Sequence, residues 1–277
     1  MVITVKIYIS ADMEGISGVV SMQQIDSGAR EFERARRMMT REVNAIIESA
    51  FEHGARDIVV NDAHGDMDNI LIEELDSAGV SLISGSPKPL SMMEGIDRSF
   101  DGVFFVGYHA RAGSPDAIID HTYTFQVLSA KINGRPMSEA GLNGRLAGYY
   151  RVPVVFISGD QNAIRCAREE LNNHIGVVVK QAVGRTAAKI YPFSQVEIRL
   201  KAGVAEAMKK IRSFKPTVER DSVELEVSFT VSDMAAMALL IPGVIRKDAR
   251  TVIYTGRDYL ETYKVFRAML ALTRGII

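Results

Sequence analysis

Asp12 and Glu14 stand two residues apart at the end of an apolar run, in "VKIYISADMEG". In an extended chain, residues at i and i+2 point to the same side. Two carboxylates held that way repel each other unless something positive lies between them. Three further residues with metal-binding chemistry occupy comparable places: His64 in "NDAHG", His109 in "VGYHA" and Glu139 in "MSEAG". Each has a glycine close by, Gly15, Gly65, Gly107 or Gly141. Two histidines and three carboxylates suit a divalent cation with nitrogen and oxygen ligands, most naturally zinc. Five ligands exceed what one tetrahedral zinc with an open position accepts, but they suit two zincs that share one carboxylate. The charges agree: three carboxylates, two zinc ions and one hydroxide sum to zero. Asp12, nearer the strand, is the candidate bridge. Such a pair of ions makes hydroxide available at neutral pH, polarises a carbonyl and stabilises a tetrahedral intermediate. The residues taken singly also have an ordinary reading. An aspartate after a strand caps turns, and a lone histidine is often a hydrogen-bonded polar residue.

The elements that must position these residues can be read from periodicity. "ITVKIYIS" predicts a first strand. "EFERARRMMTREVNAIIESAFEHG" repeats apolar residues at helical spacing (Phe32, Ala35, Met38, Met39, Val43, Ile46, Ile47, Ala50) and stops at Gly54. "DIVVND" closes a β-α-β unit, and "VSLISG" and "GVFFVGYHA" add two strands. "VLSAKINGRPMSEAG" reads as a hairpin turning at Asn133-Gly134. A helix over "LNGRLAGYY", the strand "PVVFISGD" and the helix "QNAIRCAREELNNH" follow. The expected fold is α/β, a mostly parallel central sheet with helices on both faces, plus a smaller C-terminal α+β part. Residues 184 to 194 read as a joint. This divides the chain into a catalytic α/β domain at 1–190, which carries the metal site, and a smaller α+β domain at 191–277, a candidate for assembly. The second part holds the helix "QVEIRLKAGVAEAMKKI", the strands "SVELEVSFTV" and "TVIYTG", and the closing helix "DYLETYKVFRAMLALTR". Ligands of open parallel sheets bind at the carboxyl ends of the strands, which is where the candidate ligands fall.

Composition narrows the classes. The chain has 277 residues, a hydrophobic fraction of 47% and a net charge of −1, which gives no electrostatic case for a nucleic acid or an anionic membrane. Cys166 is the only cysteine, so neither an internal disulfide nor a thiolate metal cage is available. The N-terminal run is too short and lacks the features of a signal peptide. No apolar run reaches roughly the 18 residues of a membrane span. A cytoplasmic protein is the expectation.

Other polar residues have bland readings. Asp160 is expected to N-cap the helix after it, and Cys166 to pack as a small hydrophobe. His53 and His174 lie at helix ends. Asp62, Asp66 and Asp68 flank His64, where they could hold a ligand histidine or simply shape a turn. Arg34, Arg36, Arg37 and Arg41 form a solvated helix face.

Taken together, "SADMEG", "NDAHG", "VGYHA", "DHTYT", "NG…SEAGLN" and "VPVVFISGD" resemble the D-aminopeptidase family of binuclear zinc peptidases. The resemblance covers residues 4 to about 190 in order and weakens beyond. It implies that Asp12, Glu14, His64, His109 and Glu139 ligate two zinc ions per subunit and that His121 is the catalytic histidine. No ligand position departs from the family's pattern. His121 is implied to shuttle a proton or to act as nucleophile; the sequence does not choose between these. The resemblance further implies a homo-oligomer, a decameric ring with the sites facing an inner chamber.

The expected activity is that of a zinc-dependent aminopeptidase. It would remove an N-terminal residue, a D-amino acid such as D-alanine, from short peptides by attack of metal-bound hydroxide. Another binuclear metallohydrolase, an amidase or esterase, is the first rival. A non-catalytic ring-forming protein with structural metal is the second.

Overall fold

The computed structural model describes residues 5–75, 78–219 and 221–276. Ile3 and Thr4, at the start of the expected first strand, lie outside them. In chain order the elements are β1 (Val5–Ala11), α1 (Met22–Ile25), α2 (Phe32–Glu52), β2 (Ala55–Asp62), β3 (Val80–Ile83), β4 (Gly102–Tyr108), β5 (Val127–Ile132) and β6 (Arg135–Pro136). There follow α3 (Glu139–Tyr149), β7 (Val154–Asp160), α4 (Gln161–Glu170), β8 (Ile175–Gly184), β9 (Ala187–Ile190) and α5 (Phe193–Lys209). β10 (Val223–Phe229), α6 (Ser232–Ala238), β11 (Ile245–Arg246), β12 (Thr251–Gly256) and α7 (Tyr259–Thr273) complete the chain.

Seven strands form the main sheet in the order β3-β2-β1-β4-β7-β8-β9. They are parallel except for β9, which returns antiparallel to β8. The expected α/β architecture is present. α2 and α5 cover one face, where Val43, Ile47, Leu200 and Val204 pack against Ile7, Ile9, Phe104 and Phe156. α3, α4 and a second sheet cover the other, where Leu146, Ile164, Val227 and Phe266 join Tyr8, Phe105 and Ile157. Burial on both faces explains why these strands read as unbroken apolar runs. The second sheet is antiparallel, in the order β11-β12-β10-β5-β6. Its β5–β6 hairpin turns at Asn133 and Gly134, both with positive φ, as the Asn-Gly signal requires. It draws on residues 127–136 as well as 223–256, whereas α5 lies against the main sheet. The sheets therefore do not divide at residue 190.

In the main sheet, two segments differ from the expectation, and α1, α6 and β11 also have no predicted counterpart. The stretch 184–194 is no joint: β9 lies within it and pairs with β8 at the edge of the main sheet. β8 itself, at 175–184, has no predicted counterpart. A four-residue edge strand with little burial carries almost no periodic signal, and only its pairing partner defines it.

The strand order reverses between β1 and β4, because the connections from β1 run outward through β2 and β3 while β4 returns to the other side. Such a reversal opens a crevice at the strands' carboxyl ends. Gly107 sits there. Its φ of +69° interrupts the β4–β7 register between Phe105 and Tyr108. The irregularity brings Tyr108 onto the face of Phe105, with the two rings stacked 4.4 Å apart. In a regular strand, residues three apart would face opposite ways. A Cβ at Gly107 would lie 2.2 Å from the Asp12 carbonyl oxygen. Gly107→Ala should therefore combine a left-handed alanine with a backbone clash. It is expected to lower unfolding stability by roughly 1–3 kcal/mol or more, measured as a shift of the urea midpoint; an unchanged midpoint would show that β1 and β4 need no such close approach.

Candidate metal centre

Each candidate ligand leaves a rigid element at one end of the main sheet. The Asp12 amide continues the ladder to the Val106 carbonyl at 2.8 Å, and the Gly15 amide reaches the Gly107 carbonyl at 2.7 Å. Glu14 is thus fixed at a turn pressed against β4. His64 follows β2, whose last residue, Asp62, organises the loop behind it. Asp62 accepts the amides of Asn69 and Ile70 at 2.6 and 2.7 Å and the Asn69 side chain at 2.8 Å. Asp62 shapes the turn and does not hold the His64 ring, while Asp66 and Asp68 are exposed. Glu139 is the first residue of α3, capped by Ser138, and accepts the Tyr123 amide at 2.6 Å. His121 lies in the long loop between β4 and β5. Asp116, Ile119 and Tyr123 of that loop are left-handed, which costs on the order of 1–3 kcal/mol each unless the surroundings enforce it. Asp160 supplies part of that enforcement. One oxygen caps α4, as expected, and the other accepts the Ile118 amide at 2.8 Å.

All six residues converge, and all are buried. Asp12 directs one oxygen to His64 Nδ1 and the other to His109 Nε2, each at 3.5 Å. Glu14 approaches His64 Nδ1 at 2.9 Å and His121 Nε2 at 3.9 Å. Glu139 lies 3.3 Å from His109 Nε2 and 3.6 Å from His121 Nε2. The His109 and His121 rings stack 4.1 Å apart. Asp12, Glu14 and His109 can offer one atom each to a shared ion, and so can His109, His121 and Glu139.

The rings are oriented in the same manner. His64 directs Nε2 to the Ile25 carbonyl at 2.9 Å, His109 directs Nδ1 to the Ala110 carbonyl at 3.0 Å, and His121 directs Nδ1 to the Ile119 carbonyl at 2.9 Å. A ring nitrogen facing a carbonyl must carry the proton, so in each neutral ring the other nitrogen turns a lone pair toward the carboxylates. Lone pairs facing carboxylates need a cation between them. His109 Nε2 and Asp12 Oδ2 are buried, face each other, and have no hydrogen-bond partner among the described residues. This donor set of nitrogen and oxygen atoms fits zinc.

Protons can stand in for the cation. Burial, with Glu14 alongside, pushes the Asp12 carboxyl up to about 7. Burial also opposes charge on His64 and His109, but the carboxylates outweigh it. Glu14 foremost holds the His64 ring well above its ordinary value, and Glu139 foremost raises His109 to about 10. Conversely, His64 holds Glu14 well below the usual carboxylate range against the effect of burial, and His109 lowers Glu139 against the same effect. His121 goes the other way. Burial and the adjacent His109 lower its pKa, so at neutral pH it is a free base.

Several residues around the cluster have no counterpart among the sequence-based candidates. Asn143, one helical turn after Glu139, accepts the Tyr123 and Tyr263 hydroxyls at 2.6 and 3.1 Å and donates to the Tyr108 hydroxyl at 3.0 Å. Tyr108 in turn meets the Ser10 hydroxyl at 2.8 Å. This network joins the elements that carry Asp12, His109, His121 and Glu139, and nothing in the spacing of its members signals it. Lys180, fully buried in β8, did leave a signal: it is the one charge interrupting "IGVVVKQAV". Cys166 packs with Ala110 and Ala117, as expected.

Comparison with known proteins places this geometry among relatives. The profile of the D-aminopeptidase family matches residues 5–268. D-aminopeptidase of Bacillus subtilis (strain 168) is 40% identical over 269 residues, 97% of this chain and 96% of that one. The solved structure of the Zn-dependent D-aminopeptidase DppA from Bacillus subtilis, a self-compartmentalizing protease, superposes with a TM-score of 0.94 at 39% identity. That match covers 98% of this chain and 99% of the other.

As ligands, His64 and His109 would have to give up to zinc the protons they hold. Raised ring pKa values mean that both are protonated at neutral pH, so binding at pH 7.5 should release about two protons and tighten as pH rises. Calorimetry in buffers of different ionisation enthalpy measures this; zinc uptake without proton release would contradict the assignment. His64→Ala and His109→Ala should each lose bound zinc by elemental analysis.

Proposed function

This chain belongs to the D-aminopeptidase family, and from that premise we propose that its six clustered side chains are the working parts of a zinc-dependent aminopeptidase. The reading is carried by one observation: buried His109 Nε2 and Asp12 Oδ2 face each other without a hydrogen-bond partner among the described residues. Asp12, with one oxygen directed to each of His64 and His109, would be the ligand shared by two ions, and Glu14, His64, His109 and Glu139 would hold them alongside it. When bound, the two zinc ions supply Lewis acidity that activates water and polarises the scissile carbonyl.

The remaining chemistry is proton transfer, and His121 is suited to it. Its Nδ1–H is held by the Ile119 carbonyl, so Nε2 is the free base, close to Glu14 and Glu139. At 8% exposure it is the most accessible of the six. Phe125, 45% exposed, covers its ring at 4.6 Å. Nε2 can take a proton from the attacking water and return it to the departing amine. The substrates are short peptides with an N-terminal D-amino acid such as D-alanine, in line with the relatives' names. A self-compartmentalizing relative supports a homo-oligomer for this chain as well; the decameric ring and the cytoplasmic location belong to the proposal. Segment 191–277 presents exposed Leu240, Ile245 and Leu272, apolar side chains that such an assembly would cover. Among the described residues no helix is long and apolar enough to cross a membrane.

Paired L- and D-aminoacyl amides, assayed with zinc and with chelator, test the activity. Hydrolysis of the D-substrate that a chelator abolishes and zinc restores is expected; equal rates on both enantiomers would remove the stereochemical claim.

His121→Ala should keep zinc content and fold while turnover falls by roughly 10² to 10⁴. In the parent, protonating the His121 base stops the reaction. Because its pKa is lowered, kcat/KM measured at saturating zinc should fall only at a pH lower than that at which an ordinary histidine protonates. Zinc loss in His121→Ala would instead make it a ligand, and retained turnover would make it a bystander.

A further inference from the structure

Lys180 lies in β8, two strands from β4, and its side chain is 0% exposed. Its Nζ donates to the carbonyls of Glu14, Ile16 and Val19 at 2.5, 2.8 and 2.5 Å. An ammonium has three N–H bonds, so all of them are spent on the loop that follows β1. A buried lysine is costly to desolvate, and neutral donors satisfy carbonyls at lower cost. The placement therefore calls for a reason beyond hydrogen-bond satisfaction.

The reason lies in the other ends of the same peptide units. The unit whose carbonyl is Glu14 has Gly15 for its N–H, which donates to the Gly107 carbonyl at 2.7 Å. The Ile16 carbonyl shares its unit with the Ser17 N–H, which donates to Glu42 at 2.8 Å. The Val19 carbonyl shares its unit with the Val20 N–H, which donates to Gln24 at 2.8 Å. Three peptide planes between 14 and 20 are thus clamped at both ends, and every carbonyl end meets the same ammonium. Glu42 is itself fully buried, so the loop is gripped by a buried cation on one side and a buried carboxylate on the other. Clamping the 14–15 plane fixes the backbone from which the Glu14 side chain reaches His64.

We propose that Lys180 is a positioning residue for the metal centre: as the hub of three clamped peptide planes it fixes the direction of the Glu14 carboxylate. The inference rests on the zinc reading above. Outer partners of metal ligands typically contribute 10–100-fold to metal affinity, and the same range is expected here.

The test uses Lys180→Met, which removes the donors and keeps the apolar stem, and Lys180→Gln, which keeps donors and removes the charge. Zinc dissociation constants are measured by chelator competition, and melting temperatures with and without saturating zinc. Both variants should fold and bind zinc 10–100-fold more weakly, with a smaller rise of melting temperature on adding zinc. At saturating zinc, kcat should remain depressed with KM nearly unchanged. Zinc affinity within twofold of the parent, with melting lowered equally in both conditions, would overturn the proposal and leave Lys180 a support of the fold alone. Failure of both variants to fold even with zinc would overturn it in the same way. A parent chain that binds no zinc would instead sink the zinc reading itself.

Discussion

Three carboxylates, those of Asp12, Glu14 and Glu139, are buried within reach of one another at the carboxyl ends of β1 and β4. In water their repulsion would be slight; out of water it is not. No packing of the surrounding sheet makes this arrangement favourable by itself. It requires positive charge at fixed points between the acids, and much of the molecule around the crevice is arranged to keep those points fixed. Each histidine ring is held through its far nitrogen by a backbone carbonyl, so its near nitrogen cannot turn away. Rings fixed in this way let protons fill the positions between the acids, which in the proposed centre zinc would take over.

The rigidity is unevenly distributed. The loop bearing Asp12 and Glu14 is pinned by backbone contact with β4 at Gly15 and Gly107 and by the buried ammonium of Lys180. Glu139 stands at a capped helix end, backed by the network that runs through Asn143. The loop bearing His121 is held differently, by left-handed residues, Asp160 and the Arg185 carbonyl, which accepts the Ile119 amide at 2.9 Å. Ligands need fixed distances, whereas a proton carrier needs a fixed tautomer and access to substrate. The contrast between deeply set Asp12 and Glu14 and the more accessible His121 matches the division of labour proposed for them.

The second sheet takes part in this arrangement as well. Its hairpin β5–β6 leads directly into Ser138 and Glu139. α7, which packs behind it, sends Tyr263 to Asn143 and Phe266 to the edge of the Tyr123 ring. One apolar cluster holds Phe105 and Ile157 of the main sheet together with Val227 and Phe266. The C-terminal segment therefore supports the Glu139 side of the site from behind while its exposed apolar residues face outward.

The sequence by itself determined most of the elements and the candidate ligands. Apolar runs too uniform to be half-exposed strands imply a sheet buried on both faces, and acids or histidines next to glycines at their ends imply a site there. Asn133-Gly134 determined its hairpin because few residues tolerate two left-handed positions in succession. What only the tertiary structure decided depends on contacts between residues far apart in the chain. Strand order brought Asp12 and His109 to one crevice, Gly107 altered the side on which Tyr108 lies, and β9 became a strand because β8 offered it an edge. Lys180 shows the limit most clearly: a lysine in an apolar run is visible as an anomaly, but its three carbonyl partners lie more than 160 residues earlier in the chain. Periodicity reports a residue's face and its neighbours within a turn or two, and carries no information about which distant peptide planes will meet it.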